Sequence, residues 1–364
     1  MRDAIVISGW EWEAFNIPER NAVALASLGA RVLYCPRGVS YFRQANVWRG
    51  EIEPGIYSFT PRFLSSKANR VPGIPRLQAR MIAGQILDEA TRLKLRDPIF
   101  VYSHLGEYLP LAAEMKKRGL YMVHVAMDYP EPFLFEHAQL SDRTLVIERI
   151  IYHLLRARFG DRIEMIPSSG RIASNGSAEK HGWDDPPELV HVPHPRLGYL
   201  GSPQSRLNVN ILRELLEAHP EWHFVSFGEQ KLFRLPNVHT VPWQTQETLG
   251  RFVAGLDVGF MPYDCYNQLS FHCLPLKRLD YFAAGLPVVS TPILSFWDMG
   301  GLVYLGDTAR ELAEAISLAL AEPPGDARKA LRKKYAQEHS LERLAQRLRE
   351  TLPLDESSSA ANTA

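Results

Sequence analysis

Short apolar runs alternate with amphipathic helical stretches twice along this chain, once on each side of a proline-rich segment. That repetition limits the folds open to it more than any other feature. In the first half the apolar runs fall at 4–8, 31–36, 98–102 and 120–126, separated by helical patterns at 20–28, 77–95 and 108–118. Strands joined through helices form parallel sheets covered by those helices. The second half repeats the scheme, with a helix over 207–218 and strands at 222–227, 238–241, 258–261 and 288–290. Between the halves lies 191–203, carrying Pro193, Pro195 and Pro203, which reads as an interdomain connection. The expected architecture is α/β, with two doubly wound Rossmann-like domains facing a central cleft. Residues 1–192 form the first domain, 193–203 the linker and 204–325 the second domain. A helix over 326–352 is expected to pack back on the first domain, and the small, polar stretch 353–364 is expected to be disordered.

Composition excludes several classes of function. A chain of 364 residues, 46% hydrophobic and 23% charged, has material for two ordinary cores. Equal counts of 41 basic and 41 acidic residues argue against a nucleic-acid partner on global charge. No apolar run approaches the roughly 18 residues needed to span a bilayer, and the first residues lack the apolar core of a secretory signal. Cys35, Cys265 and Cys273 form no CxxC pair, which fits reduced thiols and a cytoplasmic setting.

The chemistry is most legible in 275–292, PLKRLDYFAAGLPVVSTP, which reads as a helix, a glycine stop and a buried strand. Proline suits the first helical turn and Gly285 the position just past the end, so Lys277, Arg278 and Asp280 fall in the first turns. A helix N-terminus attracts a diphosphate, Lys277 adds a full charge, and a carboxylate one turn on can accept hydrogen bonds from a ribose diol. An ordinary βα unit with charges in its first turn would look the same. Gly228, directly after an expected strand, either lets the backbone approach a phosphate or simply makes a turn.

Taken together, Ser226-Phe227-Gly228, Pro236-Asn237-Val238-His239, 256–263 and 275–292 resemble, in order and spacing, the donor half of GT-B glycosyltransferases. Within that fold the resemblance is strongest to bacterial exopolysaccharide and teichuronic-acid type transferases and to the xanthan-pathway glucuronosyltransferase. It implies a nucleoside-diphosphate sugar bound in the second domain and a glycan or polyprenyl-linked glycan acceptor in the first. Tyr263, Leu276, Lys277 and Asp280 match positions lining the nucleotide pocket of such enzymes, with Asp280 at the ribose-binding carboxylate. Retaining members carry a glutamate eight residues before that carboxylate. Here the position is His272, which favours inversion and leaves the donor sugar open. His194 is read as a residue of the linker near the donor phosphates.

The resemblance places a catalytic base at Asp128, immediately after the run 120–126, where the xanthan-type enzyme has an aspartate. There it would take the acceptor hydroxyl's proton; an aspartate before Tyr-Pro is also a common turn opener. His104 and Glu107 are second candidates, with helix capping the plain role for Glu107, and Glu131 and Glu136 are further carboxylates nearby. No Asp-x-Asp motif occurs, so no metal or other cofactor is expected, and Lys277, with Arg278 as a second cation, neutralises the leaving nucleotide. The spacings of His272, Cys273 and Cys265, and of His191 and His194, are not those of structural zinc sites.

From 54 to 87 there is no acidic residue. Arg62, Lys67, Arg70, Arg76 and Arg80 interleave there with Phe59, Phe63, Leu64, Val71, Ile74 and Leu77. The stretch 59–81 reads either as a solvated loop and amphipathic helix or as a patch docking on the inner face of the plasma membrane. The expected activity is inverting, metal-independent sugar transfer in surface polysaccharide synthesis. A retaining transferase, a non-catalytic nucleotide-sugar-binding scaffold and a nucleotide-sugar epimerase are the alternatives.

Overall fold

In the computed structural model residues 1–355 are described, except 13–15, 43–48, 65–69, 104–108, 128–132, 171–184, 202–205, 229–231, 243, 245 and 298. The chain divides into two compact units, one holding the described residues of 1–168 and 341–355, the other those of 169–340.

The first unit is built on an eight-stranded sheet. Its strands run in the order Ile163–Met165, Arg143–Val146, Tyr121–Ala126, Ile99–Ser103, Ala4–Ile7, Val32–Cys35, Ile56–Phe59 and Arg49–Glu53. All neighbours are parallel except the last pair. Ala4–Ile7 is wholly buried, and Ile5 lies opposite Leu33 on one side and Phe100 on the other. A strand covered on both faces has no use for polar alternation, which explains its continuous apolar sequence. Helix Ile17–Ser27 starts where the Asn16 side chain accepts from the Glu19 N–H. Helix Leu341–Thr351 packs against it, and Arg347 reaches Glu164 at 2.9 Å.

The second unit holds a six-stranded, wholly parallel sheet in the order Val238–Val241, His223–Phe227, Arg196–Tyr199, Val258–Met261, Val288–Ser290 and Val303–Leu305. This corrects three expected boundaries. The second unit begins at 169, not after a linker, and the stretch 193–203 contains Arg196–Tyr199, an interior strand of the second sheet. Pro193 and Pro195 precede the strand, and Pro195 O accepts from His223 N–H of the neighbouring strand. The tail 326–352 is not one helix but two, Ala327–Glu338 and Leu341–Thr351; the former packs on Lys277–Ala283 within the second unit and only the latter belongs to the first.

Arg196 disguises its strand in the sequence because an arginine is rarely buried, yet here it is 2% exposed. Its Nε donates to Val192 O, Nη1 to Asp185 Oδ1 and Gly255 O, and Nη2 to Asp185 Oδ2 and Leu189 O, at 2.7 to 3.0 Å. Every guanidinium N–H is thus used, the condition under which such burial is tolerable. Among the described residues no helix is long and apolar enough to cross a membrane.

One buried and one half-buried histidine make stability pH-dependent. Burial pushes His124 down to about 3. His339, stacked on Tyr335, is pushed down to about 4 by burial and then by the charge of Arg278. In the unfolded chain both titrate near 6.5, so below that pH the unfolded state binds protons that the folded state refuses, and stability falls as pH falls. Urea unfolding between pH 7 and pH 5 should show a loss of up to about 1.4 kcal/mol per pH unit for each histidine. His124→Gln should flatten that slope. A wild-type free energy constant over this range would contradict the assignment.

Candidate functional site

In a doubly wound sheet, ligands bind beyond the carboxyl ends of the strands where the strand order reverses. In the second unit that point lies between Arg196–Tyr199 and Val258–Met261: the chain progresses outward from the first toward Val238–Val241, and from the second toward Val303–Leu305. The segments leaving these two strands carry Gly201 and Tyr263.

Helix Lys277–Ala283 brings Lys277 to the same place. The lysine Nζ lies 3.5 Å from the centroid of the Tyr199 ring and 5.7 Å from that of Tyr263, and the two rings meet edge to face at 6.3 Å. Gly201, at φ +126°, leaves room for it, since a Cβ there would stand 3.2 Å from Nζ. Both phenols are buried, and burial pushes both above the usual tyrosine range. The aromatic faces therefore stay uncharged at neutral pH, and cation–π attraction holds the ammonium over them. Tyr281 fixes the helix from below. Its hydroxyl donates to Gly198 O and accepts from Leu200 N–H, both at 2.8 Å, and its ring occupies the space above Gly259, where a Cβ would come within 2.5 Å of it. The helix ends as its sequence indicates: Gly285, at φ +72°, follows the last turn and donates to Phe282 O.

Other expected site residues lie elsewhere. Leu276 sits half-buried just before the helix. Asp280 is wholly buried, with Gly170 against it: a Cβ at 170 would fall 3.0 Å from Leu279 Cβ and 3.3 Å from Asp280 Oδ1. Gly228 ends its strand at φ +104° and donates to Val241 O. His272 is half-buried at the end of the short helix Gln268–Phe271, its ring 5.1 Å from Phe271.

Arg278 is corrected. It is 1% exposed, its Nη1 donates to Pro275 O, and its guanidinium faces the Tyr335 ring, so it is turned away from the side that Lys277 presents. His194 is also corrected. It binds Asp257 Oδ2 through Nδ1 at 2.5 Å, and both residues precede their strands, at the amino ends of the strands and opposite to the end where Lys277 lies. Asp128, His104, Glu107 and Glu131 lie outside the described residues, whereas Glu136 is exposed in the first turn of helix Leu134–Leu140. Among the described residues no group of three His, Cys, Asp or Glu side chains is placed to hold a metal. Sequence reasoning missed Tyr199, Gly201, Gly259 and Tyr281; the first two stood in the stretch read as a linker.

No protein-family model matches the chain. A stretch of 110 residues is 33% identical to a Bacillus subtilis (strain 168) protein provisionally named as the teichuronic acid biosynthesis glycosyltransferase TuaH. That match covers 27% of each protein, about a quarter of the relative's length. Similar solved structures extend over nearly the whole chain. A sucrose-phosphate synthase from Thermosynechococcus elongatus has a TM-score of 0.69 at 13% identity, covering 96% of this chain and 98% of that one. A UDP-forming α,α-trehalose-phosphate synthase from Burkholderia xenovorans has a TM-score of 0.69 at 12% identity, covering 99% and 100%. A trehalose-6-phosphate protein from E. coli bound with UDP-2-fluoro glucose has a TM-score of 0.66 at 11% identity, covering 96% and 98%. The chain has the GT-B fold of the glycosyltransferases, with two Rossmann-like units.

The Tyr281 bridge is testable by removing one oxygen. Tyr281→Phe leaves a buried carbonyl and a buried N–H unmatched, and should lower the free energy of unfolding by about 2 kcal/mol in urea titration. Wild-type stability would show that the hydroxyl does not hold the helix to the strand.

Proposed function

We propose that the chain is a glycosyltransferase that moves a sugar from a nucleoside-diphosphate sugar, with uridine or guanosine as the base, to a glycan or lipid-linked glycan in surface polysaccharide synthesis. The observation that carries the reading is Lys277, held over two neutral aromatic rings beside Gly201 at the point of strand-order reversal. A positive charge fixed in advance where the diphosphate leaves stabilises the departing oxygens without reorganising as the bond breaks. In this reading Lys277 neutralises the diphosphate, Tyr199 and Tyr263 fix its position and no metal is required.

Transfer proceeds with inversion. Asp128, two residues past strand Tyr121–Ala126, takes the proton of the acceptor hydroxyl as its oxygen attacks the anomeric carbon and the C–O bond to phosphate breaks. The partial likeness to a protein named for teichuronic acid synthesis supports a polysaccharide acceptor. In the first unit, Val71, Leu77 and Phe42 are exposed, Phe42 by 81%, and so are Arg70, Arg76 and Arg80. The Phe42 turn and the helix face are joined through short strands: Tyr41 N–H donates to Phe63 O, and Leu64 N–H to Gln78 Oε1. This mixture of cations and apolar side chains supports peripheral docking on anionic headgroups at the cytoplasmic face of a membrane.

Calorimetry with UDP, GDP and their sugar conjugates, with chelator present, tests the donor site. Micromolar binding is expected, and Lys277→Ala should weaken it at least tenfold, a loss of about 1.4 kcal/mol. Binding that requires a divalent ion would overturn metal independence. For inversion, NMR of the product should show the anomeric configuration opposite to the donor's. Asp128→Asn should lower kcat by about 100-fold or more with nucleotide affinity unchanged; full activity in that variant would favour a retaining enzyme.

A further inference from the structure

The loop after strand Val288–Ser290 presents Trp297 with 63% of its surface exposed, although the residue is held firmly. Its Nε1 donates to Pro292 O at 3.0 Å, and Phe271 abuts the ring edge-on at 6.2 Å and 80°. Phe271 in turn touches the His272 ring at 5.1 Å and 80°. With the indole N–H engaged and one side occupied by Phe271, what Trp297 offers is a fixed, flat aromatic face. Leu269, 56% exposed, belongs to the same short helix as Phe271.

The loop that carries this shelf is tied to the segment that carries Tyr263. Thr291 Oγ1 donates to Tyr263 O and Ser295 Oγ to Cys273 O, both at 2.9 Å, which pins the Trp297 loop to the segment that carries Tyr263 at one end and His272 near the other. The face of a hexopyranose that carries its axial C–H bonds is weakly positive and apolar, and it complements the negative face of an indole. The hydroxyls around that sugar face need polar groups at the rim, and the polar ring of His272 stands next to Phe271.

We infer that Trp297 is a stacking platform for a pyranose ring, with Phe271 fixing the indole and His272 at its polar rim. The inference rests on the donor-site reading above and deepens it. Two sugars have this chemistry, the one carried by the donor and the one at the end of the acceptor, and they separate experimentally. The full-length protein and its Trp297→Ala and Trp297→Phe variants are titrated with UDP and GDP, with UDP-glucose, UDP-glucuronate and GDP-mannose, and with methyl hexopyranosides followed by saturation-transfer NMR.

Trp297→Ala should leave affinity for the bare nucleotide unchanged. If the platform holds the donor sugar, affinity for the nucleotide sugar falls roughly three- to tenfold. If it holds the acceptor sugar, saturation transfer to the ring protons of the methyl glycoside is lost instead. Trp297→Phe should restore most of either signal. Intact nucleotide binding with Trp297→Ala matching wild type in both arms overturns the platform alone. Absence of nucleotide binding in the wild type overturns the donor site, and this inference with it.

Discussion

The hydroxyl of Tyr281 sets the geometry on which the site depends. It joins the carbonyl of Gly198 and the N–H of Leu200, two backbone groups flanking Tyr199, and so fixes helix Lys277–Ala283 against an interior strand of the second sheet. Lys277 lies four residues earlier, one turn along the same helical face, and its ammonium consequently sits over the ring of the residue that Tyr281 brackets. Two paired glycines keep the packing close, Gly259 under the helix and Gly198 under Leu256. A Cβ at 259 would enter the Tyr281 ring, and a Cβ at 198 would fall 2.1 Å from a methyl of Leu256. Close packing of helix on sheet here is a matter of missing side chains as much as of those present.

A helix of seven residues has little stability of its own, since few hydrogen bonds offset the ordering of its first turn. Its position is therefore held from the opposite side as well. Phe282 meets Tyr335 edge-on at 5.6 Å, Arg278 is buried facing the same ring, and Arg332, wholly buried, donates to Gly285 O at 3.1 Å and pairs with Glu322. Helix Ala327–Glu338 thus acts as a clamp on the back of the site helix. The neighbouring Leu341–Thr351 serves the other unit, so one short tail contributes to both cores.

Much of this was legible in the residues. Alternating apolar runs fixed the fold class, and the Pro275 to Gly285 punctuation located the site helix and its end. The failures have physical causes. Arg196–Tyr199 did not read as a strand because prolines surround it and a charged residue begins it, and nothing local reveals that Asp185 and three carbonyls will satisfy that arginine. Lys277 and Arg278 read as a pair of phosphate ligands, but consecutive helical residues point about 100° apart, so a helix packed on both sides can present only one of them. His194 was misplaced for the same reason as its strand: without knowing that 196–199 is a strand, one cannot say that His194 lies at the amino ends of the sheet. Asp128, Glu107 and Glu131 lie outside the described residues, and the role of Asp128 rests on the resemblance.

In the proposed donor reading, Lys277 meets the diphosphate from its place over the aromatic rings. A cation–π contact contributes about 0.5 to 2 kcal/mol, less than a full charge-assisted contact with a phosphate in a shielded site. In that reading an ammonium held over Tyr199 is already positioned before a diphosphate arrives. The small residue at 201 matters for the same reason. Any side chain there would crowd the ammonium on the side that Gly201 leaves open, and the charge would then be held by the rings without being offered to a ligand.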